Sequence, residues 1–598
     1  METRPFAEWT ADLPPRSELP PSLSTPRLWG DDIGVLRSDG EGRGVHLWRV
    51  AGSTWTRVSP DGRKIGSSLY SYGSPAWTVW SSKKAIALTV DRHTALVVHC
   101  RKGVVGEYPL DGEAQGYPVR WSDHEFAYIA DFGPRRGRSI VVVDLTNGLS
   151  RHVYDTPHLM SDLCVRRRRD GGEVAWLEWP SGTMPWESAQ ALRAPRAYLR
   201  LVPSPVKTPG AAANLFFRGG LLHGVTETND RFVPFSATDE GAVTVDESFP
   251  GEGRSDWFLG WRWHAPLADG TWRVSLSAST TTLMAPGREG WVALDSSPVA
   301  LREIDGAGNR IVALASDGRT PAALVTYRVG AKKWKQRSPM TTEFPVAEVG
   351  EVRRTTTDVP FVYYEPHHDA LVPPLDERPG LIVHIHGGPT AYAGRDYRYD
   401  FQHFVRSGWA IASVDYRGST GYGARYRQSL YGAYGEADVR DVLEVIEFLT
   451  ARSEIDPTRV FVRGGSSGGM TALLCAEDVR VAGAIAAYPV TDALALHSDT
   501  HEPESGYLED LIGRLPGAEE KFRSVSPQFR DHYPRRVLIF QGDADPVVPA
   551  SLVRHYVDSL IARGAAVSYR EFEGEGHGFR STATNDEVLR REIEFLRS

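Results

Sequence analysis

Two different spacings of apolar residues divide the chain. From about residue 25 to 340, apolar and polar positions alternate over short runs, as in Gly44 to Val50, Ala85 to Val90, Ser139 to Asp144 and Arg310 to Leu314, with Gly, Asp, Asn and Pro between runs. A period of two is that of a strand with one face buried. No segment here carries the 3.6-residue period of a convincing amphipathic helix. Strand after strand means a sandwich, a barrel or a propeller. About 310 residues is too many for one sandwich, whereas at about 40 to 45 residues per four-stranded blade it gives about seven blades. Ser59-Pro60-Asp61-Gly62 and Ala315-Ser316-Asp317-Gly318 are turns of the kind such blades need.

Beyond residue 345 the period changes. Gly380 to Ile385 and Trp409 to Val414 are continuous apolar runs, while Val439, Val442, Leu443, Ile446 and Leu449 follow helical spacing. Arg459 to Arg463, Val537 to Phe540 and Val567 to Phe572 are further strands, and Val553, Tyr556, Val557 and Leu560 mark a helix that stops near Gly564. Strand and helix in alternation predict a mainly parallel sheet covered on both sides. Of the 17 tryptophans only Trp409 follows residue 345, so composition changes where the period does. The expected organisation is an N-terminal extension (1–24), an all-β propeller (25–344) and an α/β-hydrolase domain (345–598). The extension, rich in Pro and charged groups, either packs back on the hydrolase domain or frays.

At 598 residues the chain exceeds one ordinary core. With 41% hydrophobic and 24% charged residues it has the composition of a soluble globular protein. A net charge of -8 argues against a nucleic-acid partner, and Arg166 to Arg169, the one basic block, reads as a solvated loop. Cys100, Cys164 and Cys475 are too scattered for a disulfide framework or a zinc site. The first residues lack the apolar core of a signal peptide and no run is long enough to span a membrane, so the expected location is the cytoplasm.

The chemistry centres on Gly464-Gly465-Ser466-Ser467-Gly468-Gly469, between the Arg459 strand and an apolar run, Met470 to Ala476, that reads as a helix. A serine at such a turn is placed as the nucleophile elbow of an α/β hydrolase requires. The motif fits in two registers, around Ser466 or around Ser467. Counting from the strand end favours Ser466, with the Ser467 N–H entering the oxyanion hole. Asp545, after the Val537 strand, and His577, flanked by Gly576 and Gly578 after the Val567 strand, complete a Ser, Asp, His order. Asp543 competes with Asp545 but better braces its turn. His386-Gly387-Gly388-Pro389 follows the Gly380 strand and offers backbone N–H groups, that of Gly388 being the partner expected for Ser467.

These motifs, with Asp415-Tyr416-Arg417-Gly418-Ser419-Thr420-Gly421-Tyr422-Gly423, resemble the prolyl oligopeptidase family of serine peptidases, in its acylaminoacyl-peptidase and dipeptidyl-aminopeptidase-like branch. The resemblance spans about residues 380 to 580. It implies Ser466 as nucleophile, a seven-bladed propeller covering the site, and short peptides as substrates. Met184-Pro185-Trp186-Glu187 is similar to a segment in bacterial members. Asp415 departs from the pattern, since many relatives carry Asn there.

The expected function is hydrolysis of amide bonds near the N-terminus of short peptides through an acyl-enzyme on Ser466, without metal or organic cofactor. Glu187 is a candidate for holding a free amino terminus; Tyr488 and Tyr507 are candidates for the acyl pocket. The same triad would serve aminoacyl or peptidyl small molecules, such as amide-linked natural products, or esters. A propeller scaffold with an inactive hydrolase half is the reading from another class. No membrane partner is expected, and a homo-oligomer is compatible with the sequence.

Overall fold

A computed structural model describes the chain except residues 12, 40–43, 71–72, 170, 198–199, 254–258, 339–349 and 500–501. The expected boundary at 344/345 therefore lies outside the described residues. Between Leu23 and Gln336 the described residues form seven four-stranded sheets, each built from consecutive strands. These are the seven blades of a propeller. Blade 1 opens at Leu23, just before the expected start. In five blades the innermost strand carries a bulge, and Thr25, Tyr117, Asp162 and Asn214 at four of them have positive φ. Such bulges sharpen the local twist where the strands crowd round the axis. A short helix, α1 (Pro185–Ser188), interrupts blade 4, too brief to show a helical period.

The second half is built on an eight-stranded sheet. Its strands are β1 (Glu351–Arg354), β2 (Pro360–Tyr364), β3 (Gly380–Ile385), β4 (Trp409–Val414), β5 (Val460–Gly465), β6 (Gly483–Ala487), β7 (Arg536–Gly542) and β8 (Ala566–Phe572), in the order β1-β2-β4-β3-β5-β6-β7-β8. From β4 to β8 the pairing is parallel; β1 and β2 add an antiparallel edge. Leu381, Val383 and Ile385 of β3 pack on one face with α2 (Ala437–Ala451) and α3 (Ser467–Cys475). Ile382 packs on the other with Phe404, Val405, Leu589 and Leu596, from the helices Tyr399–Arg406 and Thr582–Arg597. Both faces are covered, hence the unbroken apolar runs.

The propeller meets the hydrolase half along one face, through the turns between second and third strands. Arg138 of blade 3 pairs with Glu502 at 2.6 Å, Glu187 of blade 4 and Glu227 of blade 5 both accept from Arg427, and Ser279 of blade 6 donates to Asp415 at 2.6 Å. The N-terminal residues dock on the hydrolase half. Glu2 and Thr3 pair with Leu371 and Val372, Phe6 and Trp9 are buried, and Arg597 donates to the Trp9 carbonyl at 2.6 Å.

Candidate active site

The turn from β5 into α3 is set by its glycines. Ser466 has φ 57° and ψ -125°, strained for a residue with a Cβ. A Cβ on Gly464 would lie 2.1 Å from the Gly468 carbonyl, and one on Gly468 would lie 2.3 Å from the Ile385 carbonyl. Only glycine fits at either place, which accounts for the register Gly464-x-Ser466-x-Gly468. The two serines then part. Ser466 Oγ lies 2.9 Å from His577 Nε2, whereas Ser467 Oγ faces α2 and pairs with the Tyr434 hydroxyl at 2.8 Å.

His577 Nδ1 lies 2.9 Å from Asp545 Oδ2. The other Asp545 oxygen accepts the N–H groups of Val547 and Val548 at 2.8 and 2.9 Å, so the carboxylate cannot swing away. Asp543 accepts the Gly574 N–H at 2.6 Å and ties the β7 loop to the β8 loop. Beyond it, Glu575 accepts the N–H groups of Arg580 and Ser581, fixing the far side of the His577 loop. The Tyr488 ring lies 4.7 Å from the imidazole, tilted by 57°, and also packs edge-on against Phe579.

Gly387 lies against the nucleophile turn: a Cβ there would be 3.5 Å from that of Ser466. Gly388 follows with φ 122°, in the region that favours glycine. Ser467 is the first residue of α3, so its N–H has no acceptor within the helix. His386 holds the loop from below. Its ring bonds to Ser419 Oγ and the Gly387 carbonyl, both at 2.8 Å, and burial pulls its pKa down to about 4, leaving a neutral imidazole. Asp415 braces the loop's far end by accepting the Ala393 N–H at 2.5 Å.

Tyr507 is 3% exposed and its hydroxyl meets Thr390 Oγ1 at 2.6 Å, just beyond Gly388. Its ring is edge-on to Trp186 at 6.0 Å, which brings the Pro185–Ser188 helix to this side of the site. Glu187 on that helix is engaged by Arg427 at 3.2 Å, Tyr431 at 2.7 Å and Gln428 at 3.3 Å. Burial lowers the affinity of Arg427 for its proton, but Glu227 and Glu187 more than offset this and it stays charged. Sequence reasoning had not reached Tyr434, Glu575 or the Ser279 contact. The pattern Glu575-Gly576-His577 contained a signal for the second; the others depend on helix phase and blade placement. Among the described residues no group of three or more His, Cys, Asp or Glu could hold a metal ion.

The profile of the prolyl oligopeptidase family matches residues 395–598. Residues 395–598 therefore fall within that family. A dipeptidyl peptidase family member 6 of Caenorhabditis elegans is 29% identical over 35% of the chain, and an acylamino-acid-releasing enzyme of Arabidopsis thaliana is 29% identical over 33%. The match spans only 29% and 27% of those relatives' own lengths. Among solved structures, a puromycin-hydrolyzing peptidase of Mycobacterium tuberculosis superimposes over 100% of the chain and 97% of its own, with a TM-score of 0.90 at 23% identity. A puromycin hydrolase mutant complexed with PGG gives the same coverage and TM-score at 25% identity. Propeller and hydrolase together thus share the fold of these two enzymes over their whole length.

Proposed function

We propose that the protein is a serine peptidase that hydrolyses amide bonds near the N-terminus of short peptides. The observation that carries this is the unbroken chain of contacts from Asp545 through His577 to Ser466 Oγ, with each partner held from behind. His577 Nε2 takes the Ser466 proton as Oγ attacks the substrate carbonyl, and Asp545 keeps the Nδ1 proton in place and stabilises the imidazolium. The N–H groups of Gly388 and Ser467 receive the oxyanion; losing one such donor typically raises the barrier by about 3 kcal/mol. His577 then protonates the leaving amine, and water, activated by the same imidazole, releases the acyl group.

The second reading is hydrolysis of aminoacyl or peptidyl small molecules. What favours it is coverage: the puromycin-hydrolyzing peptidase matches end to end, the curated peptidases over about a third of the chain. In either reading Glu187 is the group that would hold a free amino terminus, with Tyr507 and Tyr488 bordering the acyl group.

A fluorophosphonate probe followed by peptide mapping tests the chemistry. Modification at Ser466, absent in Ser466→Ala, is expected; modification of Ser467 would sink the assignment. Aminoacyl p-nitroanilides, their N-acetylated forms, p-nitrophenyl esters and an aminoacyl nucleoside amide then separate the substrate readings.

A further inference from the structure

The propeller holds a cavity of about 440 Å³, walled by the innermost strands of its blades. The second-to-third strand turns touch the hydrolase half, so innermost strands run away from it. Trp80, Arg120 and Arg167, at the far ends of such strands, place the cavity mouth on the opposite face. It is therefore separate from the Ser466 site.

Its lining combines guanidinium groups with aromatic rings. Arg120 and Arg167 both pair with Asp123, and Arg262 pairs with Asp305 at 2.7 Å. Arg27 differs. It is 4% exposed and lines the cavity, its Nη1 donates only to the carbonyl of the preceding residue, Pro26, and among the described residues no carboxylate lies within 4 Å. Burial and the repulsion of Arg262 bring it down to about 10, partly offset by the attraction of Asp305 and Glu303 beyond hydrogen-bond reach, so it is still charged at neutral pH. The one carboxylate in the wall, Asp162, accepts the Leu215 N–H at 3.2 Å. Trp77, Trp80, Trp261, Phe216 and Phe217 supply flat apolar walls, and Arg120 already lies over the Trp80 ring at 5.0 Å.

A buried guanidinium with no carboxylate on its own donors is costly to keep, and Asp305 and Glu303, which attract Arg27 from further off, are turned to the Leu28 and Thr25 N–H groups instead. We infer that this cavity is a binding site for a flat aromatic carboxylate, whose anionic group pairs with the Arg27 fork while its ring lies against the tryptophan and phenylalanine walls. A planar guanidinium binds a carboxylate through two parallel N–H donors, and aromatic walls favour a flat ring over an aliphatic chain.

The test uses 1-naphthoate and the full-length protein, followed by calorimetry and by quenching of tryptophan fluorescence. Saturable binding of one naphthoate with a Kd below about 1 mM is expected, weakened at least about tenfold in Arg27→Met and for the uncharged 1-naphthamide. Arg27→Met should leave hydrolysis at the Ser466 site unchanged. Equal binding by Arg27→Met, equal binding of the amide, or no saturable binding to the wild type would overturn the inference. Should Arg27→Met fail to fold, Arg27→Lys decides in the same way. A compact ammonium cannot reproduce the planar fork, so a loss of about tenfold is again expected and unchanged affinity overturns it.

Discussion

At the scale of single residues, the orientation of Asp545 is dictated by two backbone donors. Because Val547 and Val548 N–H groups both point at Oδ1, an Asn at 545 must keep its oxygen there and turn its amide N–H₂ towards His577. The imidazole would then carry its proton on Nε2, facing Ser466 Oγ, and could not act as a base. Asp545→Asn is expected to lower kcat by about 10⁴-fold with an unchanged melting temperature, as for the equivalent change in other serine peptidases. A loss of less than tenfold, measured on a p-nitroanilide, would remove Asp545 from its role.

At the scale of elements, Asp415 joins three segments within one buried carboxylate. It accepts from Ser279 of a propeller hairpin, from Tyr422 and from the Ala393 N–H of the loop after Gly388, with His386 Nε2 3.8 Å away and neutral. Burial raises its pKa from 3.8 to about 6, only partly offset by these donors and by Arg354. The folded state therefore holds the proton more tightly than the unfolded chain. The contribution of Asp415 to stability is greatest below pH 4 and declines as pH rises to about 6, by roughly 3 kcal/mol for a shift of about two units. Asp415→Asn should flatten this part of the pH profile and gain on the wild type between pH 4 and 7 in urea unfolding. A stability difference independent of pH would count against it.

The elements themselves were legible where one physical cause acted alone. The continuous apolar runs of β3 and β4 marked strands covered on both faces, and their bounds agree with the structure to the residue. Seven blades followed from length and alternation, and the structure has seven. Individual blade edges were not legible, because bulges at residues such as Tyr117 and Asp162 break the alternation where the ring is tightest. Ser466, Asp545 and His577 stand out in the sequence because glycines and strand ends surround them. What holds them does not, since Tyr434 reaches Ser467, and Ser279 reaches Asp415, from segments distant in sequence.

Across the whole molecule, Glu187 sits where the two halves share charge. Arg427 from the hydrolase half is bound by Glu187 and Glu227 from neighbouring blades, so Glu187→Gln removes one of its two carboxylates but leaves the other. A loss of about 1 kcal/mol in stability is expected. If Glu187 also receives the substrate ammonium, kcat/KM for free aminoacyl p-nitroanilides falls by at least about tenfold, as loss of a charged partner requires, while N-acetylated substrates are unaffected. An equal effect on both classes would confine Glu187 to the interface.

The docking of residues 2 to 9 on the hydrolase half has a consequence for how the chain is made. Since Trp9 is held by Arg597 and Glu2 pairs beside Leu371, the catalytic half is assembled from both extremities, with the propeller inserted between them. During synthesis the leading segment has nothing to bind until Leu371 and Val372 have emerged, after every blade strand. The blades, each local in sequence, can close first. The hydrolase half is thus completed after the blades, and the segment made first is seated on it only once the chain has passed residue 371.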